Sequence, residues 1–340
     1  MVSEVSGIEI KGMYTTFPQN QVHNEDYADI FGEKEVRKQI KVTGITSRYC
    51  IKEPQLPSDL CIHAAKHLMA DTVTEADNIK ILVYVTAYTD YVIPPTSAYI
   101  KAELGIADDC ISYDVNLGCS SFINGAYIIS TFLERMPKGT QGLLLISDTV
   151  NYGGEGYDKS TSMLSSDCGT ATLFENTKID KKIVFQQKAD GSRYESLVRM
   201  DLQHNLQMDG MAVFQFTISD VVDTIKEFME KTELTGEDMD YCVLHQAQKF
   251  IVDKVVAFSG LPKEKNLISY DKCGNSGGSS IPVTLCYNCE ELKKQASANI
   301  FASGFGSGLA WGIMYFELPT AYIHEVEYTD CHYGRGTVTE

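Results

Sequence analysis

Ten cysteines are scattered through the chain, and one of them stands where a thiol becomes a nucleophile. Cys119 lies in Asp114-Val115-Asn116-Leu117-Gly118-Cys119-Ser120-Ser121-Phe122, after an apolar strand pattern and at the start of a long helical one. A helix N-terminus offers unpaired N–H groups and about half a positive charge, so the Cys119 thiol pKa is expected to fall. Taken alone, Cys119 could equally be a small buried residue. A second turn adds weight: Asp271-Lys272-Cys273-Gly274-Asn275-Ser276-Gly277-Gly278-Ser279 also leads from a strand pattern into a helical one. His245 closes a further apolar strand pattern, Tyr241-Cys242-Val243-Leu244-His245. A cysteine, a histidine and an amide gathered at two facing helix ends would form a site for nucleophilic catalysis.

The elements that would bring them together come from an internal duplication. Ile111-Ser112-Tyr113-Asp114 returns as Ile268-Ser269-Tyr270-Asp271, 157 positions later (268 − 111). Around each copy the same series repeats: a buried strand (81–86, 241–245), a turn, a long helix (120–136, 279–294) and two more strands (143–147 and 169–175; 300–303 and 311–317). Apolar strands alternating with helices imply α/β sheets covered on both faces. The helix from Ser120 is apolar on most sides, so it should be buried. Two halves back to back then give five layers, α-β-α-β-α. The expected division is 1–178, 179–320 and a C-terminal extension, 321–340. If the halves are related by a pseudo-twofold, Asn275 faces Cys119 and His245 comes in beside it.

Composition narrows the partners. Lys and Arg number 29 against 46 Asp and Glu, a net charge of −17. A nucleic-acid binder or a polybasic membrane-surface protein relies on cationic surface, so neither is expected. No 18-residue apolar run predicts a transmembrane helix. Met1-Val2-Ser3-Glu4 opens without a basic or apolar leader pattern, so a reducing cytoplasm is the expected compartment, with most cysteines as small buried apolar groups.

The ordered motifs Thr43-Gly44-Ile45, Gly118-Cys119-Ser120, Asp167-Cys168-Gly169, Ala189-Asp190-Gly191, Met208-x-Gly210, His245-Gln246-Ala247, Gly274-Asn275-Ser276 and Gly304-Phe305-Gly306-Ser307-Gly308 are each weak. As a set they resemble the β-ketoacyl-acyl-carrier-protein synthase III family of thiolase-fold condensing enzymes, from about Gly7 to Phe316. The resemblance implies Cys119 as the acylated nucleophile, with His245 and Asn275 as the decarboxylation pair. It also implies an oxyanion hole from the backbone N–H groups of Cys119 and Ser307. A homodimer is implied, with Ile93 and Pro94 on a loop that closes the partner's acyl pocket. The implied substrates are acyl and malonyl thioesters of coenzyme A or acyl carrier protein. No cofactor and no metal are expected. Asn275 can donate a hydrogen bond where an aspartate would act as a base, which favours carbon–carbon bond formation. Acyl transfer to an oxygen, nitrogen or other nucleophile on the same fold stays open.

Several positions depart from the family pattern. Where the family clamps adenine with a Trp and an Arg stand Lys38 and Val42; two further Arg positions are held by Asn151 or Tyr152 and by Phe250. The expected donor is therefore not simple acetyl-CoA, and delivery of the acyl group on a carrier protein stays open beside another coenzyme A thioester. Lys249 and Lys254, near the run Lys263-Glu264-Lys265, could form the basic patch that an acidic carrier needs, or only a solvated face. A rival reading makes Ser276 the nucleophile of a Gly-x-Ser-x-Gly elbow, but only His324 and His332 follow it. Gly304 to Gly308 resembles a dinucleotide fingerprint, but a strand pattern follows where a helix is required. Cys286-x-x-Cys289 lacks a second pair for zinc. His63 and His67, one helical turn apart, could chelate a metal or simply line a solvated face.

Overall fold

Runs such as Ile79-Lys80-Ile81-Leu82-Val83-Tyr84-Val85 are apolar on both faces, which commits them to the middle of a covered sheet. The computed structural model describes residues 1–149, 157–159, 161–200 and 205–334. Its main strands, in chain order, are β1 (Val2–Ser6), β2 (Ile8–Phe17), β3 (Ile79–Val85), β4 (Ile111–Val115), β5 (Gln141–Asp148), β6 (Cys168–Asn176), β7 (Lys182–Ala189), β8 (Tyr241–Leu244), β9 (Asn266–Leu267), β10 (Ser297–Gly306), β11 (Ala310–Pro319) and β12 (Glu327–Tyr328). The helices that cover them are α1 (Pro57–Asp71), α2 (Thr96–Glu103), α3 (Ser121–Glu134), α4 (Val222–Thr232), α5 (Lys249–Ser259) and α6 (Ser280–Tyr287).

The duplication is visible in the pairing. One sheet runs β12-β2-β6-β5-β3-β4 and the other β1-β7-β11-β10-β8-β9. Apart from the outermost β12 and β1, the two orders match strand for strand. In both, the last three strands are parallel and the two pairings just before them antiparallel. The chain crosses from one sheet to the other between Asn176 and Lys182. Its ends are exchanged: β1 pairs with β7 of the second half, and β12 pairs with β2 of the first.

Helices α3 and α6 lie between the sheets. One core joins Phe122, Ile123, Ala126 and Ile129 of α3 to Ile281 and Leu285 of α6 and to strand residues of both halves, including Val83, Ile146, Ile300 and Met314. Helices α1 and α2 cover the outer face of the first sheet, and α4 and α5 that of the second. This is the five-layered α-β-α-β-α arrangement.

Two local expectations fail. The helix expected over 279–294 stops at Tyr287, because Asn288 leaves helical geometry and only a short turn, Cys289–Leu292, continues. The Ile-Ser-Tyr-Asp repeats are also unlike in structure. Ile111–Asp114 is edge strand, whereas Tyr270–Cys273 is a helical turn. The second of these tetrapeptides marks the place of the duplication without repeating its conformation. Among the described residues no helix is long and apolar enough to cross a membrane.

Candidate active site

The turns before α3 and α6 meet between the sheets. Contacts there are too close for side chains: a Cβ on Gly118 would stand 2.2 Å from Ser307 Oγ, and one on Gly306 would stand 2.9 Å from Cys119 Sγ. The 271–282 turn is pinned to the first half by main-chain bonds, Asn275 N–H to Leu164 O at 2.8 Å and Ser166 N–H to Asn275 O at 2.8 Å. Arg48, fully buried beside it, donates to Asn24 Oδ1 at 2.8 Å and to Ser165 O at 3.3 Å.

Cys119, His245 and Asn275 line one cavity of about 300 Å³. Its other walls are mostly apolar, with Leu164, Met208, Val213, Phe214 and Phe305 among them. The structure therefore brings together the three residues singled out from sequence. Ser307 stands behind Gly118, against the backbone that leads into Cys119.

His245 is enclosed, and burial pushes its pKa down to about 4. The imidazole is neutral at physiological pH. Its Nδ1 lies 3.0 Å from Ser280 Oγ, and that hydroxyl also reaches Gly277 O at 2.8 Å. When the hydroxyl turns to Nδ1, Nε2 carries the ring hydrogen; when it turns to Gly277, Nδ1 donates and Nε2 becomes an acceptor. Asn275 Oδ1 accepts from Gly277 N–H at 2.9 Å, which leaves the amide NH2 as its donor group.

The thiol behaves contrary to expectation. Cys119 is reachable from the cavity, yet surrounding protein desolvates it and pushes its pKa up to about 12, with the Asp148 charge adding to the rise. Cys119 also precedes the helix by two residues, since Ser120 is the N-cap and Ser121 begins α3. The helix end therefore does not outweigh burial. Asp148, at the end of β5, escaped the sequence reading. It accepts from Ala87 N–H at 2.6 Å and also from the Gly278 backbone, and burial still raises it to about 7.

The other expected residues are dispersed. Ile93 is 84% exposed on a loop after β3 and, like Pro94, is not among the lining residues of this chain's own cavity. Lys249 Nζ is engaged by Asp253 Oδ2 at 2.7 Å, and Lys254 sits over the rings of Phe250 and Phe258 at 5.7 and 5.5 Å. Phe250 stacks on Phe214 beside the cavity, with ring centroids 5.4 Å apart, so an aromatic pair stands where the family carries an arginine. Lys38 and Val42 lie along an exposed helix, Glu33–Thr43. Asn151 and Tyr152 lie outside the described residues. Ser276 is buried and is not among the cavity's lining residues, while His324 is on the C-terminal tail against Asp71, so the hydrolase reading loses its geometry. The strand β11 after Gly308 likewise removes the dinucleotide reading.

Comparison with known proteins identifies the family and the fold. The family model for the 3-oxoacyl-[acyl-carrier-protein (ACP)] synthase III C terminal matches residues 229–318. The chain is 30% identical over 313 residues to a beta-ketoacyl-[acyl-carrier-protein] synthase III of Streptococcus sanguinis, covering 87% of this chain and 95% of the relative. A counterpart from Streptococcus pyogenes serotype M4 is 30% identical over 310 residues, covering 87% and 94%. The crystal structure of a 3-oxoacyl-(acyl-carrier protein) synthase from Burkholderia xenovorans superimposes with a TM-score of 0.92 at 25% identity, over 97% of this chain and 99% of that one. The fold and these relatives define a thiolase-fold condensing enzyme, an acyltransferase. The chain belongs to the β-ketoacyl-acyl-carrier-protein synthase III family.

Proposed function

We propose that the enzyme joins an acyl thioester to a malonyl-type thioester by decarboxylative Claisen condensation, with Cys119, His245 and Asn275 as its working groups. The observation that carries this is the single apolar cavity lined by all three, with the histidine held neutral. Cys119 sulfur attacks the acyl carbonyl, and its proton leaves on the departing carrier thiol. The extender's carboxylate carbon then breaks away as carbon dioxide. The electron pair left behind forms an enolate, whose oxygen accepts hydrogen bonds from His245 Nε2–H and the Asn275 amide. That role requires the Ser280 hydroxyl to donate to His245 Nδ1. The enolate carbon attacks the Cys119 thioester, and the backbone N–H groups of Cys119 and Ser307 receive the tetrahedral oxyanion. Collapse releases the β-ketoacyl product and frees the Cys119 sulfur, which takes up a proton. The Gly277 bond that orients Asn275 as a donor supports carbon–carbon bond formation over transfer to oxygen or nitrogen.

Three features support the finer assignments. The Phe214–Phe250 pair beside the cavity favours a donor delivered by a carrier protein over one gripped through coenzyme A phosphates. Fully exposed Val92 and Ile93 on one loop, with exposed Ile111 and Tyr113 on edge strand β4, leave an apolar margin that a second copy would cover in a homodimer. Ten free thiols suit a reducing cytoplasm. The test is to offer acetyl-CoA and acyl-carrier thioesters in parallel and weigh the protein. Faster loading from the carrier supports the donor assignment, and rapid loading from acetyl-CoA overturns it. Analytical ultracentrifugation reads the dimer.

A further inference from the structure

The C-terminal tail, for which the sequence offered no role, returns along the outer helix α1. Strand β12 pairs in parallel with the end of β2, Glu327 opposite Thr16 and Tyr328 opposite Phe17. That register sets Glu327 beside α1, where His63 and His67 stand one turn apart with ring centroids 4.4 Å from each other. Glu327 Oε1 lies 3.2 Å from His63 Nε2. The other carboxylate oxygen, Oε2, accepts from Tyr14 Oη at 2.5 Å. One donor atom from each of His63, His67 and Glu327 lies within 4.8 Å of the other two. His63 Nε2 is shut off from solvent, and among the described residues its close contact with Glu327 falls short of an aligned hydrogen bond by strict geometry.

We propose that His63, His67 and Glu327 bind a divalent transition-metal ion of the zinc class, which clasps the C-terminal tail to α1. Two imidazoles and one carboxylate are a donor set suited to such ions and poorly suited to calcium or magnesium, which take oxygen ligands. Ligand atoms of a tetrahedral zinc stand about 3.4 Å apart, so the three donors need only side-chain adjustment to close on an ion. Tyr14 holds the outer carboxylate oxygen and turns the inner one toward His63, the orienting role that a hydrogen bond behind a metal ligand performs. The ligands sit on a helix and a paired strand, so their backbones are fixed before any ion arrives. Without an ion, the same groups reduce to an unaligned histidine–carboxylate contact, which is the competing account.

The full-length protein, stripped with a chelator, is titrated with zinc chloride by calorimetry, and then with cobalt chloride while its visible absorption is followed. The expected result is saturation at one ion per chain, with cobalt bands of nitrogen and oxygen ligation and no thiolate charge-transfer band. His67→Ala and Glu327→Gln should each weaken binding at least tenfold. Zinc should also slow proteolysis of the tail in the wild type and not in either variant. Circular dichroism establishes that the variants are folded, and both substitutions lie at the partly exposed rim. Absence of saturable binding overturns the proposal. So does binding that is unchanged in both variants, because the ion then sits elsewhere, for example on one of the ten thiols.

Discussion

Replacing Asp148 by Asn should make Cys119 more reactive, although no substrate contact changes. Burial pushes the Cys119 thiol up to about 12, and the Asp148 charge is the second cause of the rise. At pH 8 a group of pKa 12 is ionised only to about one part in 10⁴, so alkylation of the free enzyme should be slow. A unit charge about 4–12 Å away through an effective dielectric of about 20 contributes about 1.4–4 kcal/mol, or one to three pH units. Desolvation leads here, so the low end applies: about tenfold more thiolate and about tenfold faster alkylation at pH 8. The pH dependence sharpens the test. Asp148 itself titrates near 7, so its charge is present above that pH and lost below it. The ratio of Asp148→Asn to wild-type rates should be about ten at pH 8.5 and approach one near pH 5.5. Iodoacetamide labelling read at the Cys119 peptide gives both values. Asn keeps an acceptor for Ala87 N–H but sets its NH2 against Gly278, so thermal melting must accompany the rates. Equal rates at pH 8.5 in a folded variant, or a ratio that does not change with pH, would refute the electrostatic account.

His245→Ala and Asn275→Ala should leave acylation of Cys119 within a few-fold and lower condensation by about 10²–10³, the scale of one lost oxyanion donor, measured by single-turnover mass spectrometry. The depressed His245 pKa carries a stability signature. The unfolded chain binds a proton on this residue below about 6.5 and the folded chain only below about 4, so stability is lost as pH falls through that window. The full difference is about 3 kcal/mol, and His245→Gln should flatten the melting temperature between pH 7 and 4.5 relative to wild type; parallel curves would contradict it. Gly306→Ala would put a methyl against Cys119 Sγ, so alkylation at Cys119 should fall sharply, with thermal melting to separate a blocked thiol from a disturbed fold.

The meeting of Cys119, His245 and Asn275 in one cavity was legible in the sequence because each ends a strand pattern or precedes a helix, and the duplicated order makes those ends meet. The sheets were legible for a related reason: β3, β5, β6, β8, β10 and β11 are apolar runs whose order repeats. What the sequence hid depends on depth and on distant neighbours. Helix-end reasoning lowered the Cys119 pKa, but desolvation is a property of the assembled layers and reversed the sign. Asp148 reads as an ordinary strand-end acid until both halves close over it. The break at Asn288 leaves no mark in a helical pattern that runs on to Lys294. The tail's place on α1 follows from a two-residue pairing with β2, too short to foresee.

The central claim is that Cys119 carries the acyl group. Incubating the protein with acyl thioesters and weighing it intact, followed by peptide mapping, tests this most directly. One acyl adduct per chain on Cys119, absent in Cys119→Ser, is the predicted result. An adduct on another residue, or condensation that persists in Cys119→Ala, would contradict it.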